Sequence, residues 1–248
     1  MAIQGEHTNT VSYYLEGSVA HISLNRPDKS NAYNSEMLDG LAAIIQSIKE
    51  NTEISMAVIK SSSSVFCSGA DLNEMRNRTF KEILSLKSRK VFETIRQSPF
   101  ITVAVVDGNA VAGGFELALS CDFILATGKA CFWLPEVSLG LLPAAGGISR
   151  LVELVGTSRT KNIIILGHKL DAHKAYQLGI VTKLVSNDEV NKYIEVMAKE
   201  ISDKPDIAVQ IAKKVINDAV LAQNSSSELI SQALLNELRM KTHHSTND

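Results

Sequence analysis

The chain has 248 residues, of which 25 are basic and 27 acidic, so the formal net charge at pH 7 is −2. This length is sufficient to bury a core without disulfides or a structural metal, and 45% hydrophobic residues exclude a disordered polymer. The sequence has neither a basic run that would follow a phosphate backbone nor an apolar stretch of roughly 20 residues that would span a bilayer. Nucleic-acid and membrane partners are therefore not expected.

The N-terminal third is predicted to contain a hairpin and a helix. Apolar runs at residues 11–15 and 19–24, separated by a short glycine turn, are typical of paired antiparallel strands. Over residues 35–49 the apolar positions recur every three or four residues, which predicts an amphipathic helix capped by Asn34 or Ser35. The first ten residues are polar and contain no secretory signal, which predicts a cytoplasmic protein.

Strands, glycine turns and helices alternate through the middle of the chain. Strands are predicted at residues 56–60, 101–106 and 123–126. This alternation favours crossover connections, a largely parallel sheet and an α/β fold. After residue 157 the pattern changes to helices, with one further strand at 180–185. The helices of this last part are predicted at residues 171–178, 189–202, 206–221 and 227–240.

The cysteines and histidines do not form a recognisable metal site. Cys67, Cys121 and Cys131 include no Cys-x-x-Cys pair and are interpreted as reduced, buried thiols. The six histidines include no His-Glu-x-x-His and no cluster with carboxylates at ligand spacing. The sequence therefore predicts no bound metal.

Two glycine turns could place backbone amides around a negatively charged oxygen. They are Phe66-Cys67-Ser68-Gly69-Ala70-Asp71 and Val111-Ala112-Gly113-Gly114-Phe115-Glu116. Glycine permits positive φ angles and close approach, and the first amides of a helix have no partner within that helix. Each turn alone is equally well explained as plain turn geometry. If the two converge in space, they form an oxyanion hole for one negatively charged oxygen.

Two glutamates lie among apolar neighbours. Glu116 falls inside the apolar run 112–119, and Glu136 lies in Trp133-Leu134-Pro135-Glu136-Val137. Apolar surroundings raise the pKa of a carboxyl and can make it a general acid or base near neutrality. Taken singly, a glutamate on a predicted helix is more often an exposed residue without a catalytic role. Their spacing alone does not bring them together.

At these residues the chain resembles the crotonase family, also called the enoyl-CoA hydratase/isomerase family. The resemblance runs from about residue 19 to residue 185. It is carried by Asn25-Arg26-Pro27, by the two glycine turns, by Pro135-Glu136-Val137, by Gly146-Gly147 with Arg150, and by Gly179-Ile180-Val181. It implies an α/β fold, a spiral of β-β-α units in residues 1–188 followed by a helical trimerisation region in 189–248. A homotrimer or homohexamer is expected.

The resemblance also implies the chemistry. The amides of Ala70 and Gly113 would bind the thioester oxygen, Glu116 would activate water for attack at C3, and Glu136 would supply the proton to C2. The two glutamate roles could also be exchanged, because coupled carboxyls titrate as a pair. The implied reaction is reversible hydration of a 2-enoyl-CoA to a 3-hydroxyacyl-CoA, with no cofactor besides the coenzyme A of the substrate.

Substrate-binding residues follow from the same resemblance. The coenzyme A is expected to contact Arg26, Lys29, Ala32, Ser68, Ala70, Asp71 and Leu72. The acyl pocket is expected to include Trp133 and Leu141. Two positions depart from the family: Asn73 replaces a common lysine, and Trp133-Leu134 replaces a common Gly-Gln.

Other activities remain open on the sequence. A Δ3-Δ2 isomerase, a dehydratase acting on a carrier-protein thioester and a thioester hydrolase are alternatives within the family. Family isomerases commonly retain only the acid at the Glu136 position, so the presence of both glutamates favours hydration. A non-catalytic acyl-CoA-binding subunit of an oligomer is an alternative of another class.

Overall fold

The computed structural model describes residues 3–4, 9–75, 82 and 85–221. The strands are β1 (Ile3–Gln4), β2 (Val11–Glu16), β3 (Val19–Leu24), β4 (Met56–Ser61), β5 (Val65–Cys67), β6 (Ile101–Val106), β7 (Asn109–Val111), β8 (Phe123–Ala126), β9 (Cys131–Trp133), β10 (Leu170–Asp171) and β11 (Lys183–Leu184). The described α-helices are α1 (Ser35–Glu50), α2 (Leu72–Met75), α3 (Lys87–Arg96), α4 (Gly113–Leu119), α5 (Gly147–Ile164), α6 (Ala172–Gln177), α7 (Val190–Ser202) and α8 (Asp206–Leu221).

Two strands and a helix repeat along the chain, and this repeat builds two sheets. The first strand of each repeat joins a seven-stranded sheet of order β1-β2-β3-β4-β6-β8-β11, in which β4, β6 and β8 pair in parallel. The second strand joins a four-stranded sheet of order β10-β9-β7-β5, in which β5, β7 and β9 pair in parallel. The predicted α/β spiral of β-β-α units is confirmed.

The predicted N-terminal hairpin and first helix are both present. Strands β2 and β3 pair antiparallel from Val11 opposite Leu24 to Glu16 opposite Val19. Helix α1 is capped by Asn34, whose side-chain oxygen accepts a hydrogen bond from the Met37 amide at 3.0 Å. This cap satisfies one of the helix-terminal amides that have no partner within the helix.

Both faces of the large sheet are covered. On one face the strands pack with α1, α3 and α4 in a core whose largest side chains include Phe66, Phe92 and Phe115. On the other face Val58 and Val103 belong to a second apolar cluster that includes residues of α7. Because the centre of this sheet is buried on both faces, the central strand β6 is buried at all six positions rather than at alternate ones.

The C-terminal part of the chain differs from prediction in several places. The strand predicted at 180–185 is reduced to β11, because the amides of Ile180 and Val181 both bond to the carbonyl of Ala175 and close the end of α6. Helix α5 begins well before the predicted change of pattern at residue 157. The helix predicted at 227–240 lies outside the described residues. No described helix has both the length and the apolarity needed to cross a membrane.

Candidate active site

A cavity of about 580 Å³ collects residues from several distant stretches of the chain. The predicted site residues that line it are Lys29, Ala32, Ser68, Ala70, Asp71, Leu72, Gly113, Glu116, Glu136 and Leu141. Within the described ranges, Arg26 and Trp133 are not part of this lining. The fold thus brings both glycine turns and both glutamates to one place, which their spacing in the sequence could not establish.

Glu116 is held by two backbone amides. It lies in the first turn of α4 and is 3% exposed. Its Oε1 accepts hydrogen bonds from the amides of Ala145, at 2.9 Å, and Gly147, at 2.8 Å. A Cβ at position 147 would lie 2.9 Å from Oε1, so this approach requires glycine. Two amide donors to one oxygen favour the charged carboxylate and fix its orientation.

Glu136 has very different surroundings. It begins the 3₁₀ helix Glu136–Leu139 and is 8% exposed. Its Oε2 has no hydrogen-bond partner in the part of the chain that the structure describes. Burial, with the charge of Glu116 second in size, raises the pKa of Glu136 to about 8. Glu136 is therefore mainly protonated at neutral pH, and the pair provides one candidate base and one candidate acid.

The two glycine turns meet at the cavity. Gly69 has a φ of +99°, and a Cβ built there would lie 3.2 Å from the amide nitrogen of Gly113. Ala112 has a φ of +52°, a conformation that costs a non-glycine residue about 1–3 kcal/mol and recurs at functional sites. Among the described residues, no hydrogen bond is formed by the amide of Ala70 or of Gly113. Both amides are available to an oxygen atom in the cavity.

Tyr33, which the sequence analysis did not single out, holds Ala70 in position. The Tyr33 amide donates to the carbonyl of Gly69 at 2.8 Å, and its carbonyl accepts from the amide of Asp71 at 2.9 Å. These bonds lie on either side of Ala70 and leave the Ala70 N–H out of the pairing. The Tyr33 ring packs edge-on against Phe92, with ring centroids 5.6 Å apart. The sequence carries no signal for the pairing of Tyr33 with Gly69 and Asp71, because main-chain atoms form these hydrogen bonds.

Replacing Gly113 with alanine tests the amide at that position. A Cβ there would lie 2.1 Å from the Tyr33 hydroxyl, so the turn must shift. We expect kcat to fall about 10²-fold, the scale of losing one oxyanion donor. We also expect a stability loss of about 1–3 kcal/mol, as for other overpacked sites. Gly128→Ala is the matched control, because its Cβ meets nothing within 4 Å. A folded Gly113→Ala variant with wild-type kcat would exclude this amide from the reaction.

Arg26 holds a loop in place and does not line the cavity, and its contact with coenzyme A stays a prediction. Its Nη1 donates to the carbonyl of Ala32 at 2.5 Å, and its Nη2 lies 3.1 Å from Oδ2 of Asp71. The Asn73 amide and, after it, Arg26 hold the pKa of the Asp71 carboxyl below its usual range. Arg26 therefore ties the loop that carries Lys29 to the turn that carries Ala70.

Trp133 also supports the site from outside the cavity lining, and its place in the acyl pocket stays a prediction. Its Nε1 donates to the carbonyl of Gly167 at 2.9 Å, and the ammonium of Lys169 lies 4.3 Å from the centroid of the ring. Its carbonyl accepts the amide of Ala112 at 2.8 Å. Trp133 thus anchors the strained turn that presents Gly113, whereas Leu141 lines the cavity, and its role in the acyl pocket stays a prediction.

Of the three cysteines predicted to be buried, Cys67 is buried, whereas Cys121 and Cys131 are partly exposed. Cys67, Cys121 and Cys131 are all free of disulfides. Burial raises the pKa of Cys67 and of Cys121 to about 12, so both thiols stay protonated and weakly reactive at neutral pH. No group of three or more His, Cys, Asp or Glu side chains in the described chain is placed to hold a metal ion. The absence of a metal from the reaction stays a prediction.

Solved structures share this architecture and define the class of protein. An enoyl-CoA hydratase from Bacillus anthracis has a TM-score of 0.80 at 30% identity, covering 92% of this chain and 90% of that one. This chain and that hydratase therefore share the crotonase fold along nearly the whole length of both. The enoyl-CoA hydratase/isomerase family model matches residues 15–246, and the chain belongs to that family.

Curated relatives support the same assignment. A protein named probable enoyl-CoA hydratase 2, mitochondrial, from Arabidopsis thaliana is 35% identical over 89% of this chain and 76% of its own length. The short-chain-enoyl-CoA hydratase of Clostridium acetobutylicum is 33% identical over 84% of this chain and 81% of its own. A solved structure described as a putative enoyl-CoA hydratase from Thermobifida fusca YX in complex with acetoacetyl-CoA has a TM-score of 0.76 at 25% identity, covering 96% of both chains.

Proposed function

We propose that the protein is an enoyl-CoA hydratase, which adds water reversibly to a 2-enoyl-CoA and gives a 3-hydroxyacyl-CoA. The proposal rests on one observation above all. Two buried carboxyls of different character, Glu116 and Glu136, line the same cavity as two amides without hydrogen bonds. Hydration needs a base for the water, an acid for C2 and stabilisation of an enolate oxygen, and these groups can supply all three.

The two glutamates divide the proton transfers. Glu116, held by the amides of Ala145 and Gly147, is suited to take a proton from water as the water oxygen bonds to C3. Glu136, whose pKa is raised to about 8, is suited to give its proton to C2. The substrate gains one hydroxyl and one hydrogen, which together make one water. The proton on Glu116 must then return to Glu136 before the next turnover.

The amides of Ala70 and Gly113 would carry the negative charge that develops on the thioester oxygen. Removing one donor of this kind typically costs about 3–4 kcal/mol of transition-state stabilisation. No metal or redox cofactor enters the proposed reaction. The coenzyme A would lie along the loop with Lys29 and Ala32 and the turn with Ser68 and Asp71, which line the cavity.

We also propose that the protein works as a homotrimer or homohexamer. Helix α8 carries Ile207, Ile211 and Val215 at four-residue spacing, and each of these side chains is more than half exposed in the single chain. An apolar stripe of this kind on one helix face is typical of a surface that other residues cover. Sedimentation velocity of the purified protein would measure the number of subunits.

The hydratase proposal is tested by adding the purified protein to crotonyl-CoA and to a longer 2-enoyl-CoA. The absorbance of the conjugated thioester should fall, and mass spectrometry should identify the 3-hydroxyacyl-CoA. Folded protein that changes neither substrate would contradict the proposal. A shift of the double bond in a 3-enoyl-CoA, or turnover of a carrier-bound thioester alone, would then identify one of the other family reactions.

A further inference from the structure

A buried arginine supports the turn that holds Glu116. Arg150 lies in the first part of α5 and is 4% exposed. Its Nη1 donates to the carbonyl of Ala145 at 3.0 Å. A Cβ at Gly146, where φ is +108°, would lie 2.6 Å from the same nitrogen, so the guanidinium packs directly against the turn.

The same turn binds the carboxylate. Ala145 donates its amide to Oε1 of Glu116 and accepts a hydrogen bond from Arg150 through its carbonyl. Gly147 supplies the second amide. On its other side the Arg150 guanidinium lies 3.4 Å from Oε2 of Glu93, on α3. A continuous set of contacts thus connects α3, through Arg150 and the turn, to the side chain of Glu116.

From these contacts we infer that Arg150 is a positioning residue for Glu116. It does not line the cavity, so it acts on Glu116 through the turn. By holding the carbonyl of Ala145, it fixes the peptide unit that lies between the donor amides of Ala145 and Gly147, and with it the position of Oε1. A displacement of about 1 Å in a reacting group can cost roughly 10²-fold in rate. The inference rests on the proposed function, in which Glu116 is the base.

The test compares two arginines that join the same pair of helices. Arg150→Met should lower kcat for crotonyl-CoA about 10²-fold and leave KM near the wild-type value. Arg150→Lys keeps a cation beside the turn and should recover part of the rate. The matched control is Arg96→Met, because Arg96 on α3 pairs with Glu153 on α5 at 3.1 Å and does not touch the turn. Its kcat should stay at the wild-type value.

A double-mutant cycle distinguishes positioning from a general structural role. In a Glu116→Gln background there is no base left to position, so adding Arg150→Met should reduce the single-turnover rate only slightly further. If Arg150 has only a general structural role, the single-turnover rate of the double variant should fall by the product of the two single losses. This result would overturn the inference. So would a folded Arg150→Met variant with full kcat. If the wild-type protein hydrates no enoyl thioester, it is the proposed function that fails.

Discussion

Glu136→Gln is expected to lower kcat for hydration of crotonyl-CoA by about 10²–10⁴-fold, the range for loss of a general acid. Glutamine keeps the volume of the side chain but has no acidic proton for C2. KM should change little, because the amide still fits the same wall of the cavity. A folded variant with wild-type turnover would contradict the assignment of Glu136 as the acid.

The pH dependence provides an independent measure of the same residue. Since the pKa of Glu136 is raised to about 8, the acid is present below that pH and is lost above it. The kcat/KM of the wild-type protein should therefore fall as the pH rises through about 8, and the small residual rate of Glu136→Gln should lack this limb. A wild-type profile that stays flat well above pH 8 would contradict a protonated Glu136.

Folding stability supplies the control for this substitution. Folding raises the pKa of Glu136 from its ordinary value of 4.5 to about 8. Between these pH values the folded state binds a proton that the unfolded state has lost, so the contribution of Glu136 to the free energy of unfolding decreases as the pH rises. Glu136→Gln should remove this decrease. Denaturation at pH 5 and pH 8 would show it, and would confirm that a variant with low activity is folded.

Glu116→Gln is expected to cause a loss of similar size, about 10²–10⁴-fold in kcat, because the amide cannot take a proton from water. The new amide oxygen can still accept the hydrogen bonds from Ala145 and Gly147, so the side chain should stay in place. Glu153→Gln is the matched control, since the Glu153 carboxylate pairs with Arg96 of α3 at 3.1 Å and lies outside the cavity lining. Equal losses in both variants would exclude a specific role for Glu116.

Glu116→Gln should also change the titration of its neighbour. The charge of Glu116 is one of the causes that raise the pKa of Glu136. Removing that charge should lower the pKa of Glu136 toward its ordinary value, although burial continues to raise it. Carboxyl titration followed by NMR with ¹³C-labelled glutamate would measure the shift. An unchanged pKa would show that the two side chains do not interact.

The sequence predicts features that depend on local pattern. Helix α1 and its cap at Asn34 follow from apolar periodicity and one polar residue before the first turn. Glu116 and Glu136 could be selected because each lies among apolar neighbours, and both are buried. Strands β5, β7 and β9 were missed because three-residue strands are too short to show an alternating pattern.

Features that depend on distant contacts could not be read from the chain. Arg26 is a cation in a loop, and only its contacts with Ala32 and Asp71 show that it binds the protein itself. The meeting of the Gly69 and Gly113 turns depends on parallel pairing between β5 and β7. The side-chain patterns at Tyr33 and Ala145 likewise give no sign of contacts that are made by main-chain atoms.

The geometry of water addition tests the central claim most directly. Crotonyl-CoA would be hydrated in D₂O by the wild-type protein, and the 3-hydroxybutyryl-CoA examined by NMR. If Glu116 and Glu136 act from the same cavity wall, deuterium at C2 and the hydroxyl at C3 should add to one face of the double bond and give a single diastereomer. An equal mixture of C2 diastereomers would mean that bulk solvent supplies the proton, and would contradict the role given to Glu136.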